Sequence, residues 1–190
     1  MELLVVMSLF TTVVLIASDI FMLSNRASRK IFGWERTQAD ARYTMEAITR
    51  EVRTGSVDFG YYAGRGTAIG TPESELALIE SDTTPIKFKV SDANNASLCA
   101  DLQSAPCLLV TVGTGAPAAV TPKNVAVISA KFYISPATDP TVFNASTGSY
   151  DSDIQPRVTA VLVLQSRGGA AAEQTVVYLQ TTATSRSYKR

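Results

Sequence analysis

Two cysteines form the clearest reactive pair in this chain. Cys99 and Cys107 flank a polar, proline-containing segment, residues 100–106. This spacing predicts a small disulfide loop, which would stabilise the fold by about 2.5 kcal/mol in the chain-entropy account, less any strain. The alternative is two unrelated buried thiols. A disulfide would place the domain in an oxidising, extracytoplasmic compartment.

Histidine is absent from the chain, and its absence removes several classes of active site. Ser-His-Asp and Cys-His catalysis both require it, as do histidine-ligated zinc and iron sites. The sequence also lacks a phosphate-binding glycine loop of the GxxxxGK type. We therefore predict a protein that is not an enzyme, with no catalytic residues and no cofactor.

One polar segment has the oxygen ligands that calcium prefers. Asp139, Asp151 and Asp153 lie within residues 135–154, together with several serines and asparagines. The twelve-residue EF-hand pattern is missing, so no metal site is predicted here, although calcium is the ion that the segment would suit. A solvated loop is the default interpretation, and a contact surface for other proteins is the alternative.

Glu2 stands at the edge of a long apolar run. The run covers about 21 residues, enough to cross roughly 30 Å of hydrocarbon at about 1.5 Å per helical residue. An unpaired charge beside hydrocarbon is energetically unfavourable. We therefore expect the Glu2 carboxylate to pair with a group that this chain does not itself contain. An incidental carboxylate near the start of the anchor is the alternative. The predicted membrane anchor is residues 3–23, with an apolar core of Leu3, Leu4, Val5, Val6, Leu9, Phe10, Val13, Val14, Leu15 and Ile16.

The helix of the anchor is predicted to continue beyond the membrane. No proline precedes Pro72, and Gly33 is the only glycine before Gly55. We predict one helix from about Leu3 to Thr54, with Gly33 as the place for a bend or local melting. The predicted domains are this helix, 1–54, and a β-rich head, 55–190. After Lys30, apolar residues recur at the three-four spacing of an amphipathic helix, at Ile31, Trp34, Ala41, Met45, Ile48 and Val52.

The head is rich in strand-forming residues. We predict an α+β fold in which the amphipathic half of the helix packs on an antiparallel sheet. The last two strands form the predicted hairpin, and Val158, Ala160, Leu162 and Leu164 share one face of the first of them. Residues 58–75 are predicted to be a loop with at most one short strand, and Trp34, Phe132 and Tyr133 to be core contacts. The predicted strands are 76–80, 86–90, 108–112, 125–134, 157–165 and 173–183.

The N-terminus resembles the processed N-terminus of a type IV pilin or a type II secretion pseudopilin. The resemblance rests on Met1-Glu2-Leu3-Leu4-Val5-Val6, in which Glu2 matches the glutamate of the family pattern. The residues that usually separate the cleavage-site glycine from the glutamate are absent apart from Met1. The family's leader and cleavage site would therefore lie upstream of Met1.

The head narrows the resemblance to the J and W types of minor pilin and pseudopilin. Residues 47–54 resemble a helix segment of that group, and residues 155–159 and 179–186 resemble its last two strands. The resemblance implies a pilin fold and a structural role in a type IV pilus or type II secretion filament. It also implies processing by a prepilin peptidase, N-methylation, and contacts with the major pilin, other minor pilins and an assembly platform.

Within that family, Glu2 would bind the terminal amine of a neighbouring subunit during assembly and so select subunit register. The resemblance also implies a location: the cytoplasmic membrane with the head outside the cytoplasm, then an extracellular or periplasmic filament. Asp19 would pair with Arg26 or Arg29 of a neighbour, or simply lie among the lipid headgroups. Adhesion, motility, DNA uptake and secretion remain equally open as roles for the filament.

The charged residues bear on two questions: whether the chain binds nucleic acid, and how the anchor is oriented in the membrane. Seventeen basic and seventeen acidic residues leave no net charge, which argues against nucleic acid as a partner. Arg26, Arg29 and Lys30 follow the anchor, and the positive-inside rule by itself would keep that flank in the cytoplasm. A basic leader upstream would remove this conflict. The rival prediction is a membrane-anchored extracytoplasmic binding or sensor domain that stays in the bilayer.

Overall fold

The structure is a computed structural model that describes residues 2–66, 69, 72–80, 82–92, 94–99, 105–150, 154–167 and 174–186, with Asn144 described by its backbone alone. A long helix is followed by a head with ten strands among these residues. The elements in chain order are α1 (Glu2–Thr54), β1 (Ser56–Val57), α2 (Phe59–Gly64), β2 (Glu75–Ile79), β3 (Pro85–Val90), a 3₁₀ turn (Ala96–Leu98), β4 (Leu108–Val112), β5 (Ala118–Ala119), β6 (Val125–Ser135), β7 (Phe143–Asn144), β8 (Ser149–Tyr150), β9 (Arg157–Ser166) and β10 (Val176–Thr184).

Helix α1 is continuous over 53 residues, as the sequence predicts. It passes through Gly33 without melting, and the Thr37 hydroxyl donates to the Gly33 carbonyl oxygen at 2.7 Å. It ends at Thr54, and Gly55 follows, where an added Cβ would lie only 2.9 Å from the backbone oxygen of Ile79. The glycine therefore lets the end of the helix approach strand β2 closely.

The head contains two main antiparallel sheets, which confirms the predicted α+β architecture and corrects the expectation of one sheet. Strands β1-β2-β3-β4-β5 form the first, and β10-β9-β6 form the second. The last two strands pair along their whole length, from Val176 opposite Gln165 to Thr184 opposite Arg157. This confirms the predicted hairpin. Strands β7 and β8 form a separate two-stranded ribbon.

The core lies between α1 and the second sheet and extends to the inner face of the first. The predicted inward residues of β9 are all buried, with Leu162 and Leu164 fully so, and Phe132 of β6 lies beside them. Two of the predicted core contacts are wrong: Trp34 and Tyr133 are exposed. The helix contributes a buried stripe to this core, consisting of Thr37, Ala41, Thr44, Met45, Ile48 and Val52.

Residues 58–75 contain a short helix, α2, where the sequence predicts a loop. The Asp58 carboxylate caps it by accepting from the Tyr61 backbone N–H at 2.9 Å. Tyr62 is fully buried, and its hydroxyl accepts from the Ala77 N–H at 2.8 Å. The same hydroxyl donates to the Glu75 carbonyl oxygen at 3.1 Å, so α2 is joined to the edge of the first sheet.

The strands of the second sheet run along α1 and define two ends of the head. At the anchor-proximal end, Asn124 and Arg167 lie beside Arg36 and Thr37 of α1. At the distal end, Ser135 pairs with Arg157, and the Arg186 N–H donates to the Arg53 carbonyl oxygen at 3.2 Å. The head thus begins at about Thr37 and finishes where α1 finishes.

Candidate functional site: the exposed apolar helix

The first half of α1 has no packing partner among the described residues. Every apolar residue of the predicted anchor core is exposed, with Val14 the least exposed at 44% and Leu4 the most at 72%. Glu2–Thr54 is the one helix in the described part of the chain that is long and apolar enough to cross a membrane. A helix that is apolar on every side requires an apolar environment on every side, which lipid or neighbouring helices can supply.

The hydroxyl groups of this segment are bonded within the helix. Ser8 donates to the Val5 carbonyl oxygen at 2.9 Å, Thr11 to that of Met7 at 2.8 Å and Thr12 to that of Leu9 at 2.8 Å. The sequence leaves open whether these side chains bond their own helix or another one, and the single chain shows the former. Intrahelical bonds lower the cost of placing hydroxyls in hydrocarbon.

Glu2 and Asp19 are the two carboxylates of the apolar segment. Both are exposed, and neither forms an ion pair with any residue that the structure describes. Glu2 lies in the first turn of α1, where the partial positive charge of the helix end favours an anion. Chemically, it can accept hydrogen bonds from a cationic donor supplied by another molecule.

A basic collar, residues 26–36, follows the apolar segment. It contains Arg26, Arg29, Lys30 and Arg36, with exposed Ile31, Phe32 and Trp34 among them. The sequence predicts Ile31 and Trp34 on the packed face, and that prediction is wrong because both side chains are exposed; the buried stripe of α1 begins at Thr37. Arg36 lies beside Asn124 of the head, whereas the exposed side chains of Arg26, Arg29 and Lys30 can reach headgroups or another protein.

The predicted disulfide is present. Cys99 and Cys107 are bridged, with their Cα atoms 5.6 Å apart. The bridge lies near the anchor-proximal end, since the adjacent Pro106 carbonyl oxygen accepts from the Val127 N–H at 2.8 Å. The Arg167 guanidinium donates to the Ala105 carbonyl oxygen at 2.5 Å and ties the same loop to β9.

A charged cluster on the head was not predicted from the sequence. The Glu75 carboxylate accepts from the Tyr61 hydroxyl at 2.6 Å and from Arg65 at 2.9 Å, and Lys89 lies 3.5 Å away. Burial by itself would raise the pKa of Glu75, but the Tyr61 hydrogen bond and the charges of Arg65 and Lys89 lower it overall. Lys87 Nζ lies 4.2 Å from the centre of the Tyr61 ring.

This cluster joins α2 to strands β2 and β3. Burial and the hydrogen bond to Glu75 raise the pKa of the Tyr61 hydroxyl, so Tyr61 acts as a donor at neutral pH. The charges are satisfied within the network, which is typical of a structural contact rather than a reactive site. In the sequence, the adjacent tyrosines Tyr61 and Tyr62 are the one feature that distinguishes the segment in which this cluster forms.

An open groove of about 460 Å³ lies between α1 and the first sheet. Buried Ile86 and Phe88 form its apolar floor, and Tyr43 and Arg50 of α1 stand along one side. Glu80 contributes a carboxylate on the other side. The groove has space for a small apolar segment with polar ends.

The polar segment whose composition would suit calcium, residues 135–154, is described only in part. Asp151 and Asp153 lie outside the described residues, and the Asp139 carboxylate accepts from the Thr141 N–H at 2.8 Å. Within the described ranges, no group of three or more potential ligand residues could hold a metal ion.

Comparisons of the chain with protein-family profiles, with curated proteins and with solved structures found no match.

Proposed function

We propose that this chain is a structural, non-enzymatic subunit of a filament, a minor pilin or pseudopilin of the J or W type. It would prime assembly or form the tip of a type IV pilus or type II secretion filament through helix-bundle packing. The observation that carries this proposal is the continuity of α1 from Glu2, through the exposed apolar segment, to the buried stripe of the head.

A continuous helix matters because it makes the anchor and the head one mechanical unit. When such a subunit leaves the bilayer, its apolar segment exchanges lipid for neighbouring helices, so the apolar area removed from water changes little. Discrimination between subunits then depends on polar groups. Glu2 is the residue placed to supply it, because an unpaired carboxylate in a helix bundle is unfavourable.

The proposal includes partners and a location. The partners are the prepilin peptidase, an assembly platform, the major pilin and other minor pilins, in a hetero-oligomeric filament. Before assembly the chain would cross the cytoplasmic membrane once, with its head outside the cytoplasm, and afterwards it would lie in an extracellular or periplasmic filament. The Cys99–Cys107 bridge supports an oxidising compartment for the head.

The second candidate is a membrane-anchored extracytoplasmic binding or sensor domain that remains in the bilayer. The groove beside Tyr43 and Phe88 favours it, since apolar floors with a few polar groups at the rim are typical of ligand sites. Continuity through Gly33 argues against it, because a tethered sensor does not require a rigid connection to its anchor.

The N-terminal peptide of the protein from its native cells separates the two candidates. Mass spectrometry would be applied to sheared surface filaments and to membranes separately. We expect a methylated amino acid a few residues before Glu2, and recovery of the chain in the sheared fraction. An unprocessed terminus found only in membranes would overturn the proposal and leave the anchored binding domain.

A further inference from the structure

The second sheet has one long open edge, which is formed by strand β10. The order β10-β9-β6 leaves β10 paired on one side only in the described structure, and the strand is nine residues long. Charges, prolines and bulges are the features by which proteins keep an edge strand from pairing with another chain. Strand β10 contains no charged residue and no proline, and its pairing with β9 is regular throughout. It therefore lacks the usual protection of an edge.

The other edges of the two main sheets are short or protected. Within the described ranges, the first sheet ends on both sides in a strand of two residues, β1 and β5. At the far edge of the second sheet, β6 contains exposed Lys131 and a register shift between Val127 and Ser129. Part of that edge is also covered, because the N–H groups of Glu73 and Phe132 donate to each other's carbonyl oxygens at 2.8 and 2.9 Å. The open edge of β10 is thus an exception that calls for a partner.

The register of the β9–β10 pair shows which backbone groups point to the open edge. In an antiparallel pair, alternate residues bond the partner strand, and those between them direct their N–H and C=O groups to the other side. The Ser166 N–H donates to the Thr175 carbonyl oxygen at 2.9 Å, and the Ser185 N–H to that of Pro156 at 3.1 Å. Because the register is regular between these bonds, the odd-numbered residues of β10 face β9. The outward residues of β10 are Val176, Tyr178, Gln180, Thr182 and Thr184.

The outward residues are accessible. Their side chains are all exposed, and Tyr178 is 76% exposed. No other residue that the structure describes forms a hydrogen bond with their backbone groups. Arg186 is the next residue in this alternation, and its N–H donates to the Arg53 carbonyl oxygen at 3.2 Å. Helix α1 therefore supplies a backbone partner only beyond the end of the strand.

We propose that β10 is extended by a strand from a different subunit of the filament. The occupant is an extended chain, because only a strand presents N–H and C=O groups at the spacing of about 7 Å that separates alternate residues of β10. The outward side chains carry no charge, so the facing residues of the partner are uncharged, with a β-branched or aromatic side chain opposite Tyr178.

This inference rests on the proposed function, which supplies the hetero-oligomeric partners. A minor subunit is surrounded by other proteins of the assembly rather than by copies of itself, so the added strand comes from a different chain. Among the strands, β10 has the most extensive contact with α1. A subunit whose helix packs against α1 therefore has its head beside this sheet edge. The helix contact holds the second strand at a high local concentration, so strand pairing needs little affinity of its own.

Site-specific photo-crosslinking of the full chain in its native cells tests this inference. A photoreactive amino acid would replace Tyr178, Gln180 or Thr182 in separate variants, and in a control would replace Ile128, which is 53% exposed on β6. We expect the three β10 positions, but not the control, to crosslink to one other protein in the filament fraction. Mass spectrometry should locate the attachment points along one segment of that protein, moving by about two residues for each two-residue step along β10. Only paired strands produce this stepped pattern.

The role of the backbone is tested with a pair of variants at one position. Gln180→Pro removes an outward N–H and leaves the bonds to β9, which come from Leu179 and Thr181; proline is tolerated in edge strands at such positions. Gln180→Ala keeps the N–H and is the matched control. We expect Gln180→Pro to lower the crosslinking yield from position 178 roughly tenfold and Gln180→Ala to leave it unchanged. Circular dichroism of the purified variants would show whether both heads are folded, and the stepped pattern tests the inference without either variant.

Several results would overturn the inference alone. These are attachment points that do not move with the position on β10, crosslinks that join β10 to a second copy of this chain, and no crosslinks in filaments that contain the chain. Equal yields from folded Gln180→Pro and Gln180→Ala would have the same meaning. Absence of the chain from filaments would overturn the proposed function and the inference with it.

Discussion

The hydroxyl of Ser185 lies 2.5 Å from the carbonyl oxygen of Gly55, a residue 130 positions earlier in the chain. The last carbonyl groups of a helix have no partner within the helix. Here the residues after β10 supply the missing donors, because the Arg186 N–H also binds the Arg53 carbonyl oxygen. The end of α1 is therefore fixed to the distal end of the second sheet.

Gly55→Ala should lower the free energy of unfolding by roughly 1–3 kcal/mol. The added Cβ would meet backbone oxygens of Ile79 at 2.9 Å and Glu51 at 3.1 Å, neither of which can move freely. Gly33→Ala is the matched control, since its Cβ meets nothing within 4 Å and alanine favours the helix by up to about 1 kcal/mol. Denaturant unfolding of the full chain in detergent, followed by circular dichroism, would measure both; equal effects would contradict the prediction.

Ser185→Ala should destabilise the head by about 1–2 kcal/mol, because the buried Gly55 carbonyl loses a donor. The neighbouring Thr184→Ala is the control, since Thr184 is exposed. The same unfolding measurement applies. A Ser185→Ala variant as stable as the wild type would show that another donor or water replaces the hydroxyl.

Removing the disulfide should cost about 2–3 kcal/mol of stability. The bridge closes a short loop, with a sequence separation of 8. The double variant Cys99→Ser/Cys107→Ser would be compared with the wild type with and without a reducing agent. Reductant should lower the unfolding midpoint of the wild type and leave that of the double variant unchanged.

Acid should weaken the cluster around Glu75. Its pKa in the folded head lies below the ordinary value of 4.5, so the stabilisation is fully present above pH 4.5 and is lost as pH falls through the lower folded pKa. Glu75→Gln should therefore lose less stability than the wild type between pH 7 and strongly acidic conditions. Tyr61→Phe, which removes a donor to the carboxylate, should also reduce this acid dependence, as measured by urea unfolding at several pH values.

Glu2→Leu should leave the head folded and prevent incorporation of the chain into filaments. Glu2 is exposed at the start of α1, far from the core, so its replacement removes only a contact with another subunit. Glu46→Leu, on the same helix outside both the apolar segment and the collar, is the control for loss of an exposed carboxylate. Normal recovery of Glu2→Leu in sheared filaments would contradict its assigned role.

Long, regular patterns in the sequence predicted the larger elements. The absence of proline and the apolar spacing placed the end of α1 at Thr54, and alternation along β9 identified its buried face. The short elements carried no such pattern. Helix α2 has six residues, too few to show a period, and its glycines favour a loop, although Asp58 caps the helix.

Where the head begins along α1 could not be predicted either. Trp34 lies on the same helical face as Ala41, but burial depends on which strands cover that face, and the buried stripe begins only at Thr37. The cluster around Glu75 could not be predicted from the sequence either. Its members Tyr61, Arg65 and Lys89 come together only when α2 and β3 pack against β2. Periodicity describes one element at a time, whereas these contacts depend on several.

The buried stripe of α1 packs chiefly on the last two strands, β9 and β10, and this has a consequence for biosynthesis. A ribosome makes the helix first and its partner strands last. Until residues 176–184 have emerged, the buried residues of α1 lack the strand that contacts the helix most. The head therefore completes its folding only after these late strands have left the ribosome, and the helix must stay protected from other apolar surfaces until then.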